Sequence, residues 1–409
     1  MKLNFLKKKQ EPEHFLAIDI GTEAIKAIVF KKEDDKKIIL GQALEYFETS
    51  LFFQGLDFQE EVLQKTIQKA IEEVQSITKI KTQNLILGLP SNILIAKIVE
   101  GGFNRKNSKE LIGEKEELQI HQEVFKKTKL KLSNEFAQKT GLLPEDFHFL
   151  NIKILESKID GYEAPSIKKM TGATLDFKIL TVFLSKYHLE KIRKICQNLS
   201  LKILKIVNLA ENFPHFFSKE KLNALFLDIG GQLTNVLILE KGKLVEILEF
   251  EKGGIELTKR ISQTLGMSFS EARRFKHDFS QSVLSKIVTQ RIEEIISPDI
   301  KNWFNLLKEN LKESPKKLLP SNIFLFGGGS LLPQISGILK EDNWNNLTFV
   351  FKPKINFFYP ASFADPRFAE GSGEARVATE AEQNFKNIEG KKEILNNPQN
   401  TPIFFIFYA

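Results

Sequence analysis

Apolar runs and turn residues follow each other twice in the same order along this chain. Residues 15–30, FLAIDIGTEAIKAIVF, predict a strand, a glycine turn and a second strand, and residues 38–47 predict a third strand after the charged turn KKEDDKK. Over residues 59–77 the period becomes helical, with Val62, Ile67, Ala70, Ile71 and Val74 on one face. A short buried strand is expected at 84–89, closed by Leu89-Pro90-Ser91-Asn92. The theme returns at 225–239, LFLDIGGQLTNVLIL, with a third strand at 243–250 and a helix opened by Gly253-Gly254. The two Asp-Ile-Gly copies lie 209 positions apart. An internal repeat of this kind predicts two related α/β halves facing each other across a cleft.

Between the copies the chain is rich in Lys and Glu. A loop is expected at GGFNRKNSKE, a helix near 118–129, and strands at 149–157 and 175–184 around the turn Asp160-Gly161-Tyr162. These make a small α+β unit inserted into the first half, followed by a helix at 189–199. After the second copy, helices are expected at 268–277, 281–296 and 299–313, then an apolar strand at 322–326 running into Gly327-Gly328-Gly329-Ser330. The small-residue stretch within 359–382 predicts a helix closing the cleft, and the chain beyond Gln383 reads as a polar tail ending in the apolar run 403–408.

Composition narrows the function class only at its edges. The 409 residues, 42% hydrophobic and 27% charged, suit a globular protein of two or three units and not a polytopic membrane protein. A net charge of +7 names no partner. The single Cys196 permits neither an intrachain disulfide nor a cysteine zinc site, and the six histidines lack metal-ligand spacing. Without a basic stripe interleaved with stacking aromatics, nucleic-acid binding is not expected. Phe is overused, with 35 of them against two Trp. The N-terminal lysines Lys2, Lys7, Lys8 and Lys9 flank Leu3, Phe5 and Leu6 without a secretory apolar core.

The repeated turns carry the candidate chemistry. Asp19 at a strand end is placed to hold a hydrated Mg²⁺, which takes few carboxylates and keeps its waters. Gly21 lets backbone N–H groups approach an anion, Thr22 adds a hydroxyl and Lys26 a positive charge. Asp228, Gly230, Gly231 and Thr234 repeat the set. One such turn is commonplace; two from opposed halves can clamp phosphates. Gly327, Gly328, Gly329 and Ser330 bring bare backbone to the floor of a nucleotide pocket.

The two hairpins and the Gly-Gly-Gly-Ser loop resemble the phosphate-1, phosphate-2 and adenosine motifs of the actin-like ATPase superfamily. The stretch from Asp228 to Lys276 resembles the branch containing FtsA and PilM. The resemblance implies a ribonuclease H-like, duplicated two-domain fold with an inserted 1C-type (SHS2) subdomain. Its divisions are a basic tail at 1–13, subdomain 1A at 14–90, the insert at 91–184, a return to 1A at 185–205, the second domain at 206–382 and a tail at 383–409. It further implies ATP and Mg²⁺ as cofactors, with Lys276 helping to hold the nucleotide and Asp19 and Asp228 organising the metal. Gln232 and Leu233 stand where FtsA usually has Gly and Thr, and Arg273 where relatives often have Glu. These departures favour binding over hydrolysis, and no water-orienting residue stands out. The implied role is a cell-division protein, cytoplasmic and peripheral on the inner membrane face, that polymerises head to tail and holds the C-terminal tail of FtsZ. A PilM-like scaffold binding the tail of a pilus inner-membrane protein is the alternative within the fold, and a sugar kinase the alternative outside that branch.

Overall fold

The computed structural model describes residues 13–33, 36–48, 57–211, 222–341, 344–358 and 388–389. The first half opens with strands β1 (Glu13–Ile20), β2 (Ala24–Glu33) and β3 (Lys36–Tyr46), then helix α1 (Glu60–Thr78) and β4 (Asn84–Gly88). The inserted segment carries β5 (Ile95–Asn104), α2 (Glu114–Thr140), β6 (Phe147–Ile159), β7 (Tyr162–Glu163) and β8 (Thr174–Ser185). The chain returns through α3 (Lys186–Asn198) and β9 (Lys202–Val207). The second half holds β10 (Ala224–Ile229), β11 (Thr234–Glu240), β12 (Lys243–Phe250), α4 (Gly254–Leu265), α5 (Phe269–Ser280), α6 (Lys286–Glu313), β13 (Asn322–Phe326), α7 (Pro333–Lys340) and β14 (Lys354–Phe357). A short β15 (Ile388–Glu389) pairs with β3.

The duplication shows in the sheets. One has the order β15-β3-β2-β1-β4-β9 and another β12-β11-β10-β13-β14. Setting β15 aside, each is an antiparallel meander of three strands extended by two parallel ones. The register repeats as well: Asp19 lies opposite Lys26, and Asp228 opposite Asn235. A third sheet, β5-β8-β6-β7, forms the insert with α2 across it.

The central strands of the second half are buried on both faces, which is why they read as unbroken apolar runs. Leu225, Leu227, Ile323 and Leu325 pack on α4, α6 and α7, while Phe226, Phe324 and Phe326 belong to a core continuous with the first half. Part of the Phe excess sits in two clusters. Phe226 stacks on Phe324 at 4.9 Å, and in the insert Phe183 meets Phe149 at 4.9 Å and Phe136 at 5.0 Å.

Several elements depart from the sequence reading. Gly101 to Asn104 continue β5 and are not a loop. Gly101 is there for packing: a Cβ would lie 3.0 Å from both Ile179 Cδ1 and Val124 Cγ1, where α2 crosses the sheet. Second, the helices expected at 281–296 and 299–313 form one helix, α6, with Pro298 inside it. A helix-interior proline costs about 3 kcal/mol, and a large buried apolar side chain contributes about 1.5–3 kcal/mol. Ile292, Ile295 and Ile296 before it and Ile300, Trp303 and Phe304 after it bury one common face, so continuation wins. Third, strands β9 and β14, helix α7 and the part of β5 before Gly101 went unread. The expected closing helix at 359–382 and the terminal run 403–408 lie outside the described residues, as does the basic stretch 1–12.

Candidate functional site

The equivalent strands β1 and β10 end in turns of the same construction. Gly21 N–H donates to the Ala24 carbonyl at 3.0 Å, and Gly230 N–H donates to the Leu233 carbonyl at 2.9 Å. In both, the closing carbonyl packs on the glycine: a Cβ would sit 2.9 Å from Ala24 O at Gly21, and 3.1 Å from Leu233 O at Gly230. Close approach is the reason for glycine here.

Both turns open onto one cleft between the halves, at the carboxyl ends of the parallel strands. Ligands bind in this position in open α/β sheets. Its walls include Asp19, Gly21, Thr22, Lys26, Asp228, Gly230, Gly231, Gly327 and Gly328 from the predicted set. Lys26 Nζ donates to Asp19 Oδ2 at 3.2 Å. Burial pushes the Asp228 carboxyl up to about 7, with Asp19 adding to the rise while Lys26 and a hydrogen bond from Asn235 oppose it. Two carboxylates and one lysine leave acid charge in a buried place, which a bound cation would offset. Among the described residues no cluster of three or more His, Cys, Asp or Glu could hold a metal ion. Gly327 must be glycine: its φ is +83°, and a Cβ would fall 2.4 Å from Asp228 Oδ1 and 2.6 Å from Ile229 O.

Four residues from the predicted set lie behind this lining. Thr234 is fully buried; its hydroxyl donates to the Lys252 carbonyl at 2.7 Å and accepts from Trp303 Nε1–H at 2.9 Å. Neighbouring strand residues point to opposite faces, so with Asp228 and Asn235 toward the cleft, Thr234 turns to the helices. Ser330 Oγ donates to the Gly327 carbonyl at 2.7 Å, and Gly329 packs on Ile229. Lys276 donates to Glu23 Oε1 at 3.1 Å and to the Gly254 carbonyl at 2.9 Å. Thr22 lines the cleft, yet its hydroxyl accepts Gln232 N–H at 2.8 Å, so the two turns are bonded to each other. That bond uses the Gln232 backbone N–H, which any residue but proline supplies.

The sequence reading missed several cleft residues. Asn235 was recoverable as the partner of Asp228 in the register that sets Lys26 against Asp19. Glu249 and Lys97 also line the cleft, and burial raises Glu249 above the usual carboxylate range. They arrive from β12 and β5, far apart in sequence, and no local signal marks them. Glu23 had a signal, an acid at the tip of a turn read as an anion cradle. Arg273 crosses from α5 to donate to the Phe47 carbonyl at 2.9 Å and lies over the Tyr46 ring at 4.7 Å. The helix that carries it is fixed at its start by a capping box, with Glu271 N–H donating to Ser268 Oγ and Ser268 N–H to Glu271 Oε2.

Duplicated sheets joined at a cleft of this construction define the actin-like architecture. A family model described as "Cell division protein FtsA" matches residues 225–373. Among curated proteins, cell division protein FtsA of Enterococcus hirae is 24% identical over 351 residues, covering 80% of this chain and 76% of that protein. FtsA of Bacillus subtilis is 23% identical over 392 residues, covering 88% and 82%. A solved PilM–PilN type IV pilus biogenesis complex includes a chain of the same fold, with TM-score 0.62, 15% identity and coverage of 96% of this chain and 97% of that one. The chain therefore has the actin-like fold, and over most of its length its sequence is similar to cell division protein FtsA. The matched family model and the curated relatives are FtsA, whereas PilM is similar in fold.

Proposed function

We propose that this chain acts in bacterial cell division as an adenine-nucleotide-binding, self-associating protein that links FtsZ to the cytoplasmic membrane. The observation that carries the nucleotide part is the repeated hairpin, identical in turn bonding and in strand register, set twice on one cleft with an acid at each strand end. The residues fit an ATP–Mg²⁺ complex. Asp19 and Asp228 would hold the hydrated cation, the Gly21, Gly230 and Gly231 backbone the phosphates with Lys26, and Gly327 and Gly328 the adenosine side. The bound nucleotide would supply a phosphate chain bridging the two halves, so that its presence sets their closure and hence the surfaces offered for self-association. Cell-division relatives over most of the chain support the cellular role.

We read the inserted α+β unit as a 1C-type (SHS2) subdomain and assign it to head-to-tail contacts between copies. Among the described residues no helix is long and apolar enough to cross a membrane. We assign peripheral membrane contact to the basic stretch 1–12 or the apolar run 403–408, both outside the described residues.

The test is co-sedimentation of the full chain with vesicles containing phosphatidylglycerol, with ATP or ADP, and with a peptide of the FtsZ C-terminal tail or of a pilus inner-membrane tail. Nucleotide-dependent pelleting that recruits the FtsZ peptide is the expected result. Recruitment of the pilus peptide alone moves the chain to the PilM role, and indifference to nucleotide, lipid and both peptides removes the division reading.

A further inference from the structure

The first and last described segments of the chain meet on one register row of the first sheet. Glu13, where β1 begins, lies opposite Lys32 of β2, Lys32 opposite Lys37 of β3, and Lys37 opposite Ile388 of β15. Residues 1–12, with Lys2, Lys7, Lys8 and Lys9, lead into this row at Glu13, and residues 390–409, with Lys391, Lys392 and the apolar run 403–408, follow from it. The same end of the sheet gathers lysines from separate parts of the chain. The α1–β4 loop is held there by Thr82 Oγ, which donates to the His14 carbonyl at 2.8 Å, and β9 joins it, with Lys202 N–H donating to the Gln83 carbonyl at 2.8 Å. Lys32, Lys81, Lys202 and Lys205 are exposed, and a bulge in β9 leaves Leu204 43% exposed between the last two. Burial, with the charges of Lys32 and Lys205, pushes the Lys37 ammonium down to about 8, as crowded positive charge does. Strands β2 and β9 stand three places apart in the sheet, about 14 Å, so the lysines are spread over a width and not aimed at one ligand.

We infer that this end of the first sheet is a docking surface for an anionic lipid membrane, with Lys32, Lys81, Lys202 and Lys205 toward the headgroups and Leu204 at the interface. The inference rests on the membrane role proposed above, and it puts the attachment points of both segments assigned to membrane contact on one side of the molecule. A lipid surface offers many anionic headgroups in a plane, which spread lysines with long flexible stems reach together. The stretch 1–12 brings charge of the same sign to the same row, so it and the folded face act on one partner. The cleft lies at the other end of the strands. Asp19 is six residues along β1 from Glu13, about 20 Å away, so docking leaves the cleft open to solvent.

The experiment is flotation of the full chain with phosphatidylcholine vesicles, with and without phosphatidylglycerol, each protein checked by thermal melt. The face variant carries Lys81→Gln, Lys202→Gln and Lys205→Gln together. The control carries Lys115→Gln, Lys126→Gln and Lys131→Gln, exposed lysines of α2 in the insert. On phosphatidylglycerol vesicles the face variant is expected to bind about a hundredfold more weakly than the wild type, at about fivefold, or about 1 kcal/mol, per lysine. The control should bind like the wild type, and on phosphatidylcholine alone all three should match. No weakening in the face variant, or equal weakening in the control, overturns the docking surface while leaving the membrane role intact. Wild type that floats with neither vesicle overturns both. A second readout does not depend on the lysines: an environment-sensitive dye on Leu204→Cys, with the native Cys196 buried away from the label, should shift to the blue on phosphatidylglycerol vesicles. An unshifted spectrum from vesicle-bound protein overturns the docking surface.

Discussion

At the residue scale, the site depends on side chains whose partners are fixed in the fold. Thr234 looks like a phosphate ligand from its turn, but its hydroxyl joins Lys252 to Trp303 in the core. Thr234→Val leaves the buried Trp303 N–H unpaired and is expected to cost about 1–3 kcal/mol in denaturant unfolding. Nucleotide affinity of the folded variant should stay at the wild-type value. Gly327→Ala meets Asp228 Oδ1 and Ile229 O at a backbone angle that side chains avoid, and is expected to lower the melting temperature and the affinity together. Glu249 behaves oppositely. Burial raises its pKa, so the native state holds the proton more tightly than the unfolded chain, and stability falls as pH rises from the ordinary 4.5 through the raised value. Glu249→Gln should melt higher than the wild type at neutral pH and no higher at about pH 4, below the ordinary carboxylate value; a lower melting temperature at neutral pH would count against this.

At the element scale, much of the fold was legible because each half states its own strands. The runs FLAIDIG and LFLDIGG, repeated at a fixed offset, give hairpins, order and facing turns without any long-range knowledge. What escaped is what contact across the chain decides. Gly101 reads as a loop residue until α2 is laid over it, and Pro298 reads as a break until the apolar face on both sides of it is buried. Gly101→Val should force α2 off the sheet and cost about 1–3 kcal/mol, as overpacking does, visible in the unfolding midpoint. The candidate site divides in the same way. Asp19, Asp228 and the turn glycines follow from local pattern, whereas Glu249, Lys97 and the Glu23–Lys276 pair require two distant segments to meet.

At the scale of the whole molecule, α5 fastens the second half to the first. Lys276 reaches Glu23, Arg273 reaches the Phe47 carbonyl, and His277 Nδ1 lies 3.4 Å from the Tyr46 hydroxyl. Burial, with Lys276 and Arg273 nearby, holds His277 below its ordinary 6.5, so the neutral ring is the native form. A depressed base contributes stability that is present above its unfolded pKa and lost as pH falls through the folded value. Melting temperature should therefore drop between about pH 7 and about pH 5 more steeply in the wild type than in His277→Asn. The closure of the cleft by nucleotide is the central point, and direct binding tests it most simply. Calorimetric titration of the full chain with ATP–Mg²⁺ should give saturable binding to one site, lost in Asp228→Asn and weakened in Asp19→Asn while both variants remain folded. Absence of binding by the wild type, or equal binding by all three proteins, would contradict it.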